Sequence, residues 1–158
     1  MEKAKEMLSV GTEAAELVEG LDIRPHRAGH DASFYEGFAL RGIRVDNIRP
    51  GFLFCTFRVP PRLTDADGNL SPGAIANLVD EVGAAAIHSE GLHMKVSVDM
   101  CISYLLAAKV DDELEITSKV LGHKGGYSGT HVLLKNKATG EVVAEGRHSL
   151  FGKLSSKM

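Results

Sequence analysis

A chain of 158 residues, 44% hydrophobic and 25% charged, suffices for one domain with a real core and is too short for two ordinary ones. This average composition excludes collagen-like, low-complexity and disordered classes. Lys+Arg 18 against Asp+Glu 21 gives a formal charge of -3, without the basic excess of a nucleic-acid binder, so no nucleic-acid partner is expected.

The amino terminus, MEKAKEMLSVGTEAAELVEG, has no apolar signal region and too many acids for a transit peptide. No apolar run approaches the roughly 18 residues of a membrane span, so none is expected. Residues 3-19 place Ala4, Met7, Leu8, Ala14, Ala15, Leu17 and Val18 on a loosely helical spacing broken at Gly11, which predicts one amphipathic helix or two short ones. Residues 22-38 mix Pro, Gly, His and charge without either period and read as a loop anchored by Phe34, Tyr35 and Phe38. Residues 1-38 are therefore an N-terminal helical and loop segment, and residues 39-158 the folded domain.

ALRGIRVDNIR, Pro50-Gly51 and FLFCTFRV predict an antiparallel hairpin, and residues 60-70 a loop. Ser71-Pro72 then opens the strongest helix signal, Ser as N-cap and Pro at the first helical position, with the helix running over 72-90 and Gly91 closing it. Four strands follow. In KVSVDMCISYLL, Val96, Val98, Met100, Ile102 and Tyr104 alternate with polar residues. DELEITSKVL alternates Leu114, Ile116, Ser118 and Val120 against charge, and GYSGTHVLLKN and EVVAEGRHSLF flank a Lys137-Ala138-Thr139-Gly140 turn.

The long helix is apolar on two sides. Ile75, Leu78, Val79, Val82 and Ala86 form a bulky stripe, while Gly73, Ala76, Gly83, Ala84 and Ile87 form a flank of mostly small residues. An antiparallel sheet wrapped around this helix, with the small flank turned to a second subunit, satisfies both. Asp80 lies on that flank. An acid among alanines and glycines is costly unless its neighbours hydrogen-bond or pair it, or it is functional. Cys55 and Cys101 lie in strand-like runs with no ligand spacing, and His26, His30, His88, His93, His131 and His148 do not cluster, so neither a disulfide framework nor a metal site is expected. Ser156-Lys157-Met158 is a one-residue variant of the S-K-L tripeptide, which reads either as a peroxisomal address or as a polar tail on a cytoplasmic protein.

Gly73-Ala74-Ile75-Ala76-Asn77-Leu78-Val79-Asp80, Val96-Ser97-Val98-Asp99-Met100 with Ile102-Ser103-Tyr104, and Asn136-Lys137-Ala138-Thr139-Gly140 with Gly146-Arg147-His148 together resemble the hotdog-fold acyl-CoA thioesterases of the PaaI-like branch. The resemblance covers residues 40-152. It implies an α+β fold, an antiparallel sheet of about six strands around a long central helix. It also implies a homodimer, usually a dimer of dimers, with sites at the subunit interface and acyl-CoA as substrate, coenzyme A being part of that substrate and no cofactor being needed.

In that family an H-G-G segment opens the helix, and an acid follows at the spacing of Asp80 from Ser71. Asp80 would be general base or nucleophile, and Ser97, from the partner's strand, would hold the attacking water. Family residues differ here at Ser71, at Asp65 in place of an Asn, and at Pro72, which lacks the N–H that a glycine would offer to the thioester carbonyl. Gly73 still offers one, and Ser71 could add its hydroxyl or serve only as N-cap. For coenzyme A the resemblance points to Tyr104, Leu105, Leu106, Ala107, Ala108 and Lys109, and to His123, Lys124, Gly125, Gly126 and Tyr127. Lys109, His123 and Lys124 would meet phosphates there, although Gly125-Gly126 alone reads as a hairpin turn.

The resemblance thus implies an acyl-CoA thioesterase, or, because of Ser71, Pro72 and Asp65, a hotdog protein that binds acyl-CoA or lipid without hydrolysis. A hydratase is disfavoured because Ser71 occupies the neighbourhood where those enzymes place a His.

Overall fold

The computed structural model describes residues 2-31 and 33-152. The Ser156-Lys157-Met158 tail lies outside them. The residues fall into two units, Met1–Phe38 and Ala39–Met158.

The first unit holds two short helices, α1 (Glu2–Leu8) and α2 (Thr12–Glu19), neither with a buried residue. The expected loop over 22-38 ends instead in a third helix, α3 (Phe34–Leu40). Its start is a reciprocal cap: Ser33 Oγ accepts the Glu36 amide at 3.1 Å, and the Glu36 carboxylate accepts the Ser33 amide at 3.4 Å. The Ser-x-x-Glu spacing carried that signal beneath a composition that reads as loop.

The second unit is one antiparallel sheet around one long helix. β1 (Arg44–Arg49) and β2 (Phe52–Arg58) form the hairpin turned at Pro50-Gly51, where Gly51 takes a φ of 73°. A single 3₁₀ turn at Pro61–Leu63 interrupts the loop that leads to α4 (Pro72–His88). β3 (Val96–Tyr104), β4 (Glu113–Lys124), β5 (Tyr127–Asn136) and β6 (Val142–Phe151) complete the order β1-β2-β4-β5-β6-β3. α4 ends two residues short of its expected end, where Ser89 caps it by bonding back to the Ala85 and Ile87 carbonyls.

The core lies between α4 and the concave face of the sheet. Ile75, Leu78, Val79 and Val82 of α4 pack among Leu53, Cys55, Phe57, Leu114, Ile116, Val132 and Leu134. Gly146 lets the helix approach, since a Cβ there would lie 2.6 Å from a Val79 methyl.

The small-residue flank does not turn as a whole toward a second subunit. Gly83 and Ile87 are buried, and a Cβ at Gly83 would meet His148 Nδ1 at 2.8 Å and Thr130 Oγ1 at 2.9 Å. Glycine stands there because the chain's own sheet presses on it. No helix of the described residues is long and apolar enough to cross a membrane.

Candidate functional site

Asp80 projects from α4 toward two side chains of its own chain. Ser97 Oγ on β3 donates to Asp80 Oδ1 at 2.5 Å, and His148 Nε2 on β6 lies 3.1 Å from the same oxygen. Ser97 therefore reaches Asp80 within one chain, where the resemblance implied the partner's strand.

A bulge explains how. The register of β3 on β6 shifts between Ser97 and Asp99, so Ser97, Met100, Ile102 and Tyr104 oppose Leu150, His148, Gly146 and Ala144 on the helix-facing side. Strict alternation from Val96 had put Ser97 on the opposite face to Met100. A bulge inserts one residue and re-aims its neighbours.

His148 is the member that sequence reasoning missed. It is fully buried, and burial pushes its imidazole below its ordinary value, against the opposing pull of Asp80 and Asp99. The ring is therefore neutral at neutral pH. Neither ring nitrogen makes an aligned hydrogen bond among the described residues, so Asp80 and His148 touch through charge and dipole while Ser97 holds the carboxylate directly. Alternation in β6, which sets His148 on the face of Gly146 and Leu150, was the signal that could have found it. About a third of the Asp80 side chain stays exposed, which leaves the carboxylate open to a substrate.

At the helix start Ser71 is the N-cap, its hydroxyl accepting the Ala74 amide at 3.2 Å. Helix geometry leaves first-turn amides without partners. Ala74 is taken, Pro72 has no N–H, and Gly73, exposed, is the first-turn amide available to a ligand. Tyr104 Oη donates to the Pro72 carbonyl at 3.4 Å. A groove of about 260 Å³ beside it is lined by Asn69, Pro72, Tyr104, Leu105, Leu106 and Ala107. Asp65 closes the preceding loop by accepting the Asp67 and Asn69 amides, which hold its carboxyl below the usual carboxylate range.

Two residues expected against coenzyme A are engaged elsewhere. Ala108 is buried in the core, and its carbonyl accepts the Leu70 amide, so it presents nothing to a ligand. His123 has both ring nitrogens occupied, Nε2 by Glu90 at 2.8 Å and Nδ1 by Ser128 at 2.6 Å, and is not free to meet a phosphate. Lys109 is exposed, while Lys124 and Tyr127 line an open depression of about 350 Å³ beside the hairpin that carries Gly125 and Gly126. Among the described residues no group of three or more His, Cys, Asp or Glu side chains could hold a metal ion.

Comparison with known proteins gives a family and a fold. A family model described as thioesterase superfamily matches residues 67–130. Acyl-coenzyme A thioesterase 13 of Homo sapiens is 40% identical over 108 residues, 68% of this chain and 77% of the relative. Among solved structures, thioesterase superfamily member 2 of zebrafish superposes with a TM-score of 0.71 at 34% identity, covering 78% of this chain and 89% of that one. A hypothetical thioesterase of Streptococcus pneumoniae, determined with coenzyme A, gives a TM-score of 0.68 at 25% identity over 73% of this chain and 93% of that one.

Proposed function

The chain belongs to the thioesterase superfamily, and on that premise we propose that it hydrolyses acyl-CoA thioesters to free acid and coenzyme A through Asp80. The observation that carries this reading is the Asp80 carboxylate, partly exposed and held by Ser97 at 2.5 Å beside the buried, neutral His148. Asp80 acts as general base on a water that adds to the thioester carbon, or as a nucleophile through a mixed anhydride that water then cleaves. In either course the C–S bond breaks and coenzyme A leaves as the thiol. Ser97 holds the carboxylate and the water, the Gly73 amide stabilises the developing oxyanion, and no cofactor is required.

The nucleotide end of the substrate is proposed to lie along Tyr104, Leu105, Leu106, Ala107 and Lys109 and against Lys124, Gly125, Gly126 and Tyr127. The determination of a related thioesterase with coenzyme A supports that class of ligand. The expected result with a panel of acyl-CoAs is thiol release above background. Binding without release would leave the second reading, a hotdog protein that holds acyl-CoA or lipid without turnover. One observation favours it: Pro72 and the Ser71 cap leave the helix start with a single amide to offer.

A homodimer, and a dimer of dimers, belongs to the same proposal. β3 lies at an edge of the sheet, with Val96 68%, Val98 48% and Met100 38% exposed along it. An edge strand carrying exposed apolar side chains is a template for pairing with a second copy. Sedimentation at micromolar concentration is expected to give a dimer or larger assembly, and a stable monomer would overturn this part of the proposal.

A further inference from the structure

Beyond the C-terminal end of α4, four polar side chains from two distant stretches of sequence form one continuous chain of hydrogen bonds. Lys95 Nζ donates to Ser128 Oγ at 2.5 Å, and Ser128 Oγ is 2.6 Å from His123 Nδ1. His123 Nε2 is 2.8 Å from the Glu90 carboxylate. The tautomer with its proton on Nε2 gives every donor an acceptor: ammonium to hydroxyl, hydroxyl to Nδ1, Nε2–H to carboxylate. Ser128 is buried, and Glu90 is itself backed by the β1–β2 turn, where a Cβ at Gly51 would lie 2.8 Å from the carboxylate.

Lys95 Nζ also donates to the Gly126 carbonyl at 3.1 Å, and the Gly152 amide shares that oxygen. A Cβ at Gly126 would lie 2.5 Å from the Gly152 carbonyl and 2.6 Å from the Phe151 ring. Gly125 has a φ of 59°, which favours glycine. The hairpin backbone is thus held at the Gly126 carbonyl by Lys95 and by the end of β6. Lys124 and Tyr127, on either side of the glycines, line the open depression together with His123 and Ser128.

We propose that Glu90, His123, Ser128 and Lys95 are a positioning clasp that holds the hairpin in the shape that receives the phosphates of coenzyme A, with His123, both of whose ring nitrogens are engaged, acting through the hairpin although its ring also lines the depression. This rests on the reading given under Proposed function. Glu90 and Lys95 balance in charge, so the clasp supports the backbone without adding net charge, and Lys124 supplies the cation that faces an incoming phosphate. A phosphate placed directly on His123 would instead sit next to the Glu90 carboxylate and be repelled.

The test compares the full chain with its Glu90→Ala, Glu90→Gln and Lys95→Met variants on two substrates: an acyl-CoA, and the same acyl group as its N-acetylcysteamine thioester, which has no phosphates. Glu90→Ala and Lys95→Met are each expected to raise KM for the acyl-CoA about tenfold with kcat unchanged, the size expected for one lost hydrogen bond in a supporting network. The N-acetylcysteamine thioester should be hydrolysed as by the parent chain, and Glu90→Gln should stay near it on both substrates, because the amide oxygen still accepts from Nε2. Equal losses on both substrates, or no change on acyl-CoA, would overturn the proposal. If the parent chain hydrolyses neither thioester, the hydrolase reading fails and the clasp is judged by calorimetry with coenzyme A. A Kd raised about tenfold in both Glu90→Ala and Lys95→Met supports it, and an unchanged Kd or no binding by the parent overturns it.

Discussion

Asp80→Asn is expected to lower thiol release from acyl-CoA by about a thousandfold, within the range that a positioned proton acceptor contributes. The amide nearly matches the carboxylate in shape, so Ser97 can still donate to its oxygen at the position now 2.5 Å away. It cannot take a proton from water at neutral pH, and it cannot form a mixed anhydride. His148 cannot substitute, because it is fully buried behind the Asp80 oxygen that its Nε2 approaches at 3.1 Å. Assembly and melting temperature should stay close to the parent, since about a third of the Asp80 side chain is exposed and replacing a partly exposed carboxylate leaves the core untouched. Turnover at the parent rate in Asp80→Asn would mean that the reacting carboxylate has been misassigned.

Pro72→Gly is expected to raise turnover by about tenfold to a hundredfold, somewhat less than the effect of removing one preorganised oxyanion donor. The substitution adds an amide at the first helical position, next to that of Gly73, where the helix N-terminus favours negative charge. Ser71 keeps its cap on Ala74, and the Tyr104 hydroxyl keeps its acceptor, because the carbonyl of residue 72 is unchanged. Glycine loosens the first turn by about 0.5–1 kcal/mol, so melting temperature should fall while the rate rises. A fall in both rate and melting temperature would show that Gly73 is already the aligned donor and that no second one is missing. Unchanged hydrolysis with altered acyl-CoA affinity would favour the binding protein.

The difference between these two substitutions and the clasp variants lies in how far each was visible along the chain. Asp80 and Pro72 stood out because an acid on a small-residue helix flank and a proline without an N–H are anomalies that one helix displays alone. His148 was half visible: period two in β6 turns it inward, but a lone inward histidine is ordinary until Gly83 is seen making room for it. The clasp was invisible, since Glu90 and Lys95 lie 33 residues from His123 and Ser128 respectively and the two pairs meet only because a helix end, a strand entry and a hairpin converge.

Local chemistry along the chain was enough for the long capped helix, the two hairpins and the period of β4, because caps, turns and alternation are decided by neighbours a few residues apart. It was not enough for α3, where a reciprocal Ser33–Glu36 cap outweighs a loop-like composition. Nor did it reveal which face Ser97 occupies. One residue of bulge in β3 inverts every later side chain, and that bulge exists only in pairing with β6. The same holds for Gly83 and Ala108, apolar or small residues whose burial depends on what packs above them. Sequence period reports that a face is apolar, whereas its partner, and so the use of the polar residue beside it, is chosen when the sheet closes over the helix.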